Sequence, residues 1–138
     1  MPAGTVRFYV QPATTEPDPQ ARWRLAARLC RRVAVIEQQP LAVVLDDPAA
    51  RAQFDDWLWT YAASSFVPHA LDNPAAPVNL VLQDQAGTVL NLGAQPLLHS
   101  TAALVLELVV GDEAERAQAR RHYKAYQQAG WSLQTVPL

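Results

Sequence analysis

Five consecutive apolar residues, Leu41 to Leu45 (LAVVL), constrain the fold more than any other segment, because they leave no face for water. A strand with one wet face alternates apolar and polar side chains, whereas a strand covered on both faces has no such need. Directly after it come Asp46, Asp47 and Pro48, an N-cap acid followed by a proline suited to a first helical turn. A doubly buried strand running at once into a helix is the β-to-α step of a parallel sheet with helices packed on it.

The flanking segments read in the same way. Thr5 to Val10 is short and rich in β-formers, and the proline-rich QPATTEPDP that follows cannot continue a central strand. Asp18-Pro19 then starts a first helix over roughly 19–35, with Trp23, Leu25, Ala26, Leu29, Cys30 and Val33 at helical spacing. The second helix carries Ala50, Phe54, Trp57, Leu58 and Tyr61 on one stripe. Ser64 to Pro77 reads as loop, and the apolar runs on either side of Gln83 to Gly87 suggest a hairpin. Leu104 to Val110 is a further strand. Asp112 and Glu115 form a capping box for the last helix, Gly130 closes it, and Trp131 to Val136 is strand-like. The order β-α-β-α-β-β-β-α-β predicts a three-layer α/β domain spanning 1–138. Its sheet is expected to be largely parallel with one antiparallel hairpin, and its helices to lie on both faces.

Composition excludes several classes of function. A chain of 138 residues, half of them hydrophobic, is the size of one domain with one core. Its net charge of -2 argues against a general duplex-binding surface, so any anion site must be local. Cys30 is the single cysteine, which excludes an internal disulfide and fits the reducing cytoplasm. No Cys/His cluster has metal-ligand spacing. MPAGTVRFYV lacks a basic segment followed by an apolar run, and the longest apolar stretch, Ala102 to Val110, contains Glu107; neither suggests a membrane element. Neither GxGxxG nor GxxxxGK[ST] occurs, and no G-x-S-x-G elbow is present. His69 and His99 read as loop residues, Cys30 as a small core residue and Asp47 as the cap of the second helix. No catalytic residue, cofactor or metal is expected.

Two helices concentrate positive charge. The first carries Arg22, Arg24, Arg28, Arg31 and Arg32, which read as a solvated outer face; the competing reading is a module that binds single-stranded nucleic acid directly. The last carries ARRHYKAYQQAG (119–130); with Arg116 one turn before it, Arg120 and Lys124 form a like-charged row with no acid three or four residues away from Arg120 or Lys124. Each like pair at i,i+4 costs about 0.2–0.5 kcal/mol, and the helix dipole compensates only in the last turn. A bound anion would relieve the repulsion. Tyr123 lies beside the row, and Trp59 falls off the apolar stripe of the second helix, so each could wall a pocket. Aromatics beside unpaired arginines suit a ligand with an apolar group and a carboxylate, such as a peptide C-terminus.

LWTYAASSFVPHAL (58–71), ARRHYKAYQQAGWSL (119–133) and the opening VRFYV together resemble the chi subunit of bacterial DNA polymerase III, over nearly the whole chain. The resemblance implies a Rossmann-like, non-catalytic, cytoplasmic domain of the clamp-loader complex. Such a subunit pairs with the psi subunit and binds the acidic, Phe-ending tail of single-stranded DNA-binding protein, with no cofactor and no direct nucleic-acid contact. Carried onto this sequence, it places Arg120 at the tail carboxylate, with Tyr123 and Lys124 beside it, Trp59 and Phe66 as aromatic walls, and Thr135 at the border. Arg116 stands where the family has a lysine, and His122 replaces a more strongly basic residue, which weakens the local field at neutral pH.

Overall fold

A computed structural model describes residues 4–12, 20–61 and 67–138 of the chain. Among the described residues, seven strands form one sheet: β1 (Thr5–Val10), β2 (Leu41–Val44), β3 (His69–Leu71), β4 (Val78–Val81), β5 (Gly87–Asn91), β6 (Ala102–Val109) and β7 (Ser132–Pro137). Their spatial order is β3-β4-β2-β5-β6-β1-β7, and every pairing is parallel. The LAVV run of β2 is buried at every position, with ladder partners on both edges.

The expected hairpin across Gln83 to Gly87 does not form. β4 and β5 lie on opposite sides of β2 and run parallel to it. A strand as apolar as β2 needs a hydrogen-bonded neighbour at each edge to satisfy its backbone, and these two runs supply them. The intervening segment leads back to the start of β5, and Asp84 fixes it by accepting from Ser100 Oγ at 2.6 Å and Thr101 N at 3.2 Å. β3 is also new, lying within a stretch expected to be loop.

Among the described residues, three helices cover the sheet. α1 (Ala21–Cys30) continues through a π-helical segment, Arg31–Ile36, and so fills most of the expected span; its cap, Asp18-Pro19, lies outside the described residues. α2 (Pro48–Tyr61) is capped by Asp47, whose Oδ1 accepts from Ala50 N at 2.8 Å. α3 (Glu113–Gln128) is capped by Asp112 through Glu115 N at 3.0 Å. At its other end Gly130 takes a left-handed φ of 90°, which lets Trp131 N reach Tyr126 O at 3.1 Å.

α1 and α2 share one face, where Leu25, Leu29, Phe54 and Leu58 pack on Leu41, Val43, Leu80 and Leu106. α3 occupies the other face with Tyr126, and Trp131 packs there too, on Val6, Phe8 and Val105. The three-layer architecture with helices on both faces is therefore as expected. Burying each of the larger apolar side chains stabilises the fold by about 1.5–3 kcal/mol. Among the described residues, no helix is long and apolar enough to cross a membrane, and no group of three or more His, Cys, Asp or Glu could hold a metal ion.

Candidate functional site

α3 lies over the β6-β1-β7 side of the sheet and leaves a pocket of about 190 Å³ between itself and the strands. Its floor is apolar: Phe8 and Val10 of β1, Val109 of β6 and Ala119 of α3. The parallel register and the two-residue strand period put Phe8, Val10 and Val109 on the α3 face. Three exposed residues surround the opening, Arg120 and Tyr123 of α3 and Thr135 of β7. Tyr123 is held by a tilted contact with Phe8, ring centroids 5.2 Å apart, so one side of the pocket is aromatic from floor to rim. An apolar cup with one guanidinium at its mouth can take an apolar or aromatic group that carries an adjacent anion.

Three of the residues singled out from sequence, Arg120, Tyr123 and Thr135, meet at this pocket. Lys124 is exposed one helical turn beyond Arg120 and does not line it. Arg116 is a structural brace, with Nε donating to Gly111 O at 3.2 Å and NH2 to Gln11 O at 2.6 Å, and it ties the start of α3 to the end of β1. Arg120 is not unpaired, because it bridges to Glu113, seven residues earlier. Both side chains are exposed, 62% and 78%, so this bond is exchangeable with solvent or a ligand.

Trp59 does not join the pocket. It projects from α2, on the opposite face of the sheet, 54% exposed, with its ring centroid 4.6 Å from that of His69. Phe66 lies outside the described residues. His69 is not a loop residue: it is buried in β3, with Nδ1 2.6 Å from Val67 O and Nε2 3.1 Å from Asp55 Oδ1. The competing nucleic-acid row survives only as an exposed patch of Arg28, Arg31 and Arg32 on and just beyond α1, with Arg32 3.4 Å from Glu37.

Beneath α3 lies a polar cluster that sequence reasoning did not assemble. Glu107 points from β6 toward the helix and is buried; its Oε2 accepts from Tyr126 OH at 2.7 Å and Asn91 Nδ2 at 2.8 Å. His122, read from sequence as a replacement that weakens the local field, is buried as well, with Nδ1 3.1 Å from Glu107 Oε1 and Nε2 2.9 Å from Ala94 O. Burial alone lowers the His122 pKa. The hydrogen bond and charge of Glu107, with the Ala94 carbonyl, outweigh that and leave it raised. An acid inside the apolar run of β6 was the available signal, since it requires a partner on the helix above. Cys30 is fully buried and its thiol is pushed up to about 12 by desolvation, as fits a core residue.

Residues 4–134 match the family described as DNA polymerase III chi subunit, HolC. The chain is also 34% identical to the DNA polymerase III subunit chi of Pseudomonas aeruginosa, over an alignment covering 94% of this chain and 93% of that protein. A match of this extent, on an α/β fold, decides the relationship: the chain belongs to the DNA polymerase III chi subunit family.

Proposed function

We propose that this chain is a non-catalytic accessory subunit that joins the replicative DNA polymerase to coated single-stranded DNA through protein contacts. In this reading it pairs with the psi subunit in the cytoplasm and holds the acidic, Phe-ending tail of single-stranded DNA-binding protein in the pocket between α3 and the sheet. Membership of the chi family supports the role in replication. The observation that carries the tail assignment is the pocket itself, with an apolar floor of Phe8, Val10, Val109 and Ala119 and Arg120 at its mouth. A terminal phenyl ring fills the floor, its carboxylate meets the Arg120 fork, and Tyr123 and Thr135 close the sides. Lys124, exposed on the next turn, adds positive potential for upstream acids.

The test is fluorescence anisotropy with a labelled peptide of acidic residues ending in Phe, run beside a naked single-stranded oligonucleotide. Micromolar-range peptide affinity that weakens with salt is expected. Arg120→Ala, or a peptide without the final Phe, should lose binding. An Arg120→Ala protein that binds the peptide as tightly as the parent would sink the site. Tight, steeply salt-dependent oligonucleotide binding would favour the exposed α1 arginines instead.

A further inference from the structure

β7 is the last strand of the sheet, paired with β1 on one side and, among the described residues, with nothing on the other. In a parallel ladder, alternate residues turn both backbone groups toward the same neighbour. Ser132 N donates to Gly4 O and Leu138 N to Val10 O, so the even-numbered positions of β7 serve β1. Leu133, Thr135 and Pro137 therefore face outward. Pro137 has no N–H, which leaves the outward donors of the strand at Leu133 and Thr135. Thr135 is also the β7 residue that borders the pocket, so a free backbone edge and an apolar cup meet at one residue.

The other face of the same edge carries a cation. Arg7 of β1 reaches across to β7, with Nε donating to Gln134 Oε1 at 3.0 Å and NH1 to Tyr9 OH at 3.4 Å, and it has no carboxylate partner among the described residues. Arg120 and Arg7 thus flank the β7 edge from opposite sides of the sheet.

We infer that the tail peptide adds to the sheet as a short eighth strand along the outer edge of β7. Its terminal aromatic side chain then turns into the α3 pocket, and an acidic side chain of opposite orientation turns toward Arg7. This rests on the tail-binding reading and extends it. Main-chain hydrogen bonds supply sequence-tolerant affinity, and the alternation of side chains supplies the specificity. It assigns a ligand contact to Arg7, which lies on the face away from the pocket.

The experiment is an N-methyl scan along the same acidic, Phe-ending peptide, measured against the full chain and against Arg7→Gln. A strand addition makes alternate amides sensitive: methylation of an amide facing β7 weakens binding roughly tenfold, and the intervening amides tolerate it. Arg7→Gln should weaken the acidic peptide several-fold and flatten its salt dependence, with an unchanged melting temperature. If the unmodified peptide binds but the scan shows no alternation, the strand is overturned and the pocket stands. If the unmodified peptide does not bind, the tail reading and the strand fall together.

Discussion

His122 of α3 and Glu107 of β6, fifteen residues apart in sequence, meet at 3.1 Å in the dry layer between helix and sheet. The second ring nitrogen of His122 faces the Ala94 carbonyl at 2.9 Å. Each ring nitrogen faces an oxygen, so the protonated ring, with both nitrogens donating, satisfies the site fully, in keeping with the raised pKa of His122. Glu107 accepts from a hydroxyl and an amide on its other oxygen. The pair clamps α3, and with it the pocket rim, to the sheet and to the segment after β5.

The sign of the pH dependence follows. The folded pKa of His122 is raised above its ordinary 6.5, so folding favours the proton. Stability from this group is fully present below about 6.5 and is lost as pH rises through the folded value. Urea unfolding should show a free energy that falls as pH rises above about 6.5, a fall that His122→Ala no longer shows. That variant leaves Glu107 buried without its counter-charge and should cost about 3–5 kcal/mol at pH 6. A profile unchanged by the substitution would refute the imidazolium assignment.

Tyr126 offers a sharper probe of the same cluster. Its hydroxyl donates to Glu107 and accepts from Leu97 N at 2.7 Å, so Tyr126→Phe removes two bonds without opening a cavity. Leaving these groups unmatched should cost about 1–3 kcal/mol. The urea midpoint should drop while the slope stays constant, since the surface exposed on unfolding is unchanged. A change confined to the slope would contradict this reading.

What can be read from sequence is mostly local. Caps at Asp47 and Asp112, the left-handed Gly130 and the apolar β2 run each depend on a few adjacent residues, and all appear in the structure. The β4-β5 hairpin fails because two apolar runs near a turn do not reveal whether a third strand lies between them. Both runs are also buried without clear alternation, which suits parallel pairing better. Trp59 reads as a wall because it leaves the apolar stripe of its helix. A helical wheel cannot say which side of the sheet that helix takes, and α2 and α3 take opposite sides. Arg120 looks unpaired when neighbours are counted only to four residues, whereas two long side chains span seven. Thr135 enters through family resemblance; Phe8, Val10 and Val109, which share its pocket, read as strand interior and nothing more.

Cys30 should behave as a reporter of unfolding. Its thiol is buried and pushed up to about 12, so thiolate is scarce at pH 8 in the folded chain. Labelling with a disulfide reagent should be slow in buffer and accelerate with urea in step with global unfolding. Rapid labelling of the native protein would show instead that α1 opens locally.

Glu113 is an internal competitor for the ligand anion. It bridges to Arg120, the one charged group lining the pocket among the described residues, yet the exposure of both side chains limits their bond to roughly 0–1 kcal/mol. Glu113→Gln should therefore leave stability nearly unchanged while freeing the guanidinium for a carboxylate. Affinity for the acidic, Phe-ending peptide should rise by a factor of about two to five, the most that such a bond can withhold. Arg120→Lys should move the other way, since a point charge cannot grip a carboxylate with two parallel bonds. Combining Glu113→Gln with Arg120→Ala separates the two contributions: with the guanidinium gone, removing the acid should restore little. If Glu113→Gln improves binding as much in the Arg120→Ala background as in the parent, Glu113 acts through general repulsion and the two residues do not compete at the pocket mouth.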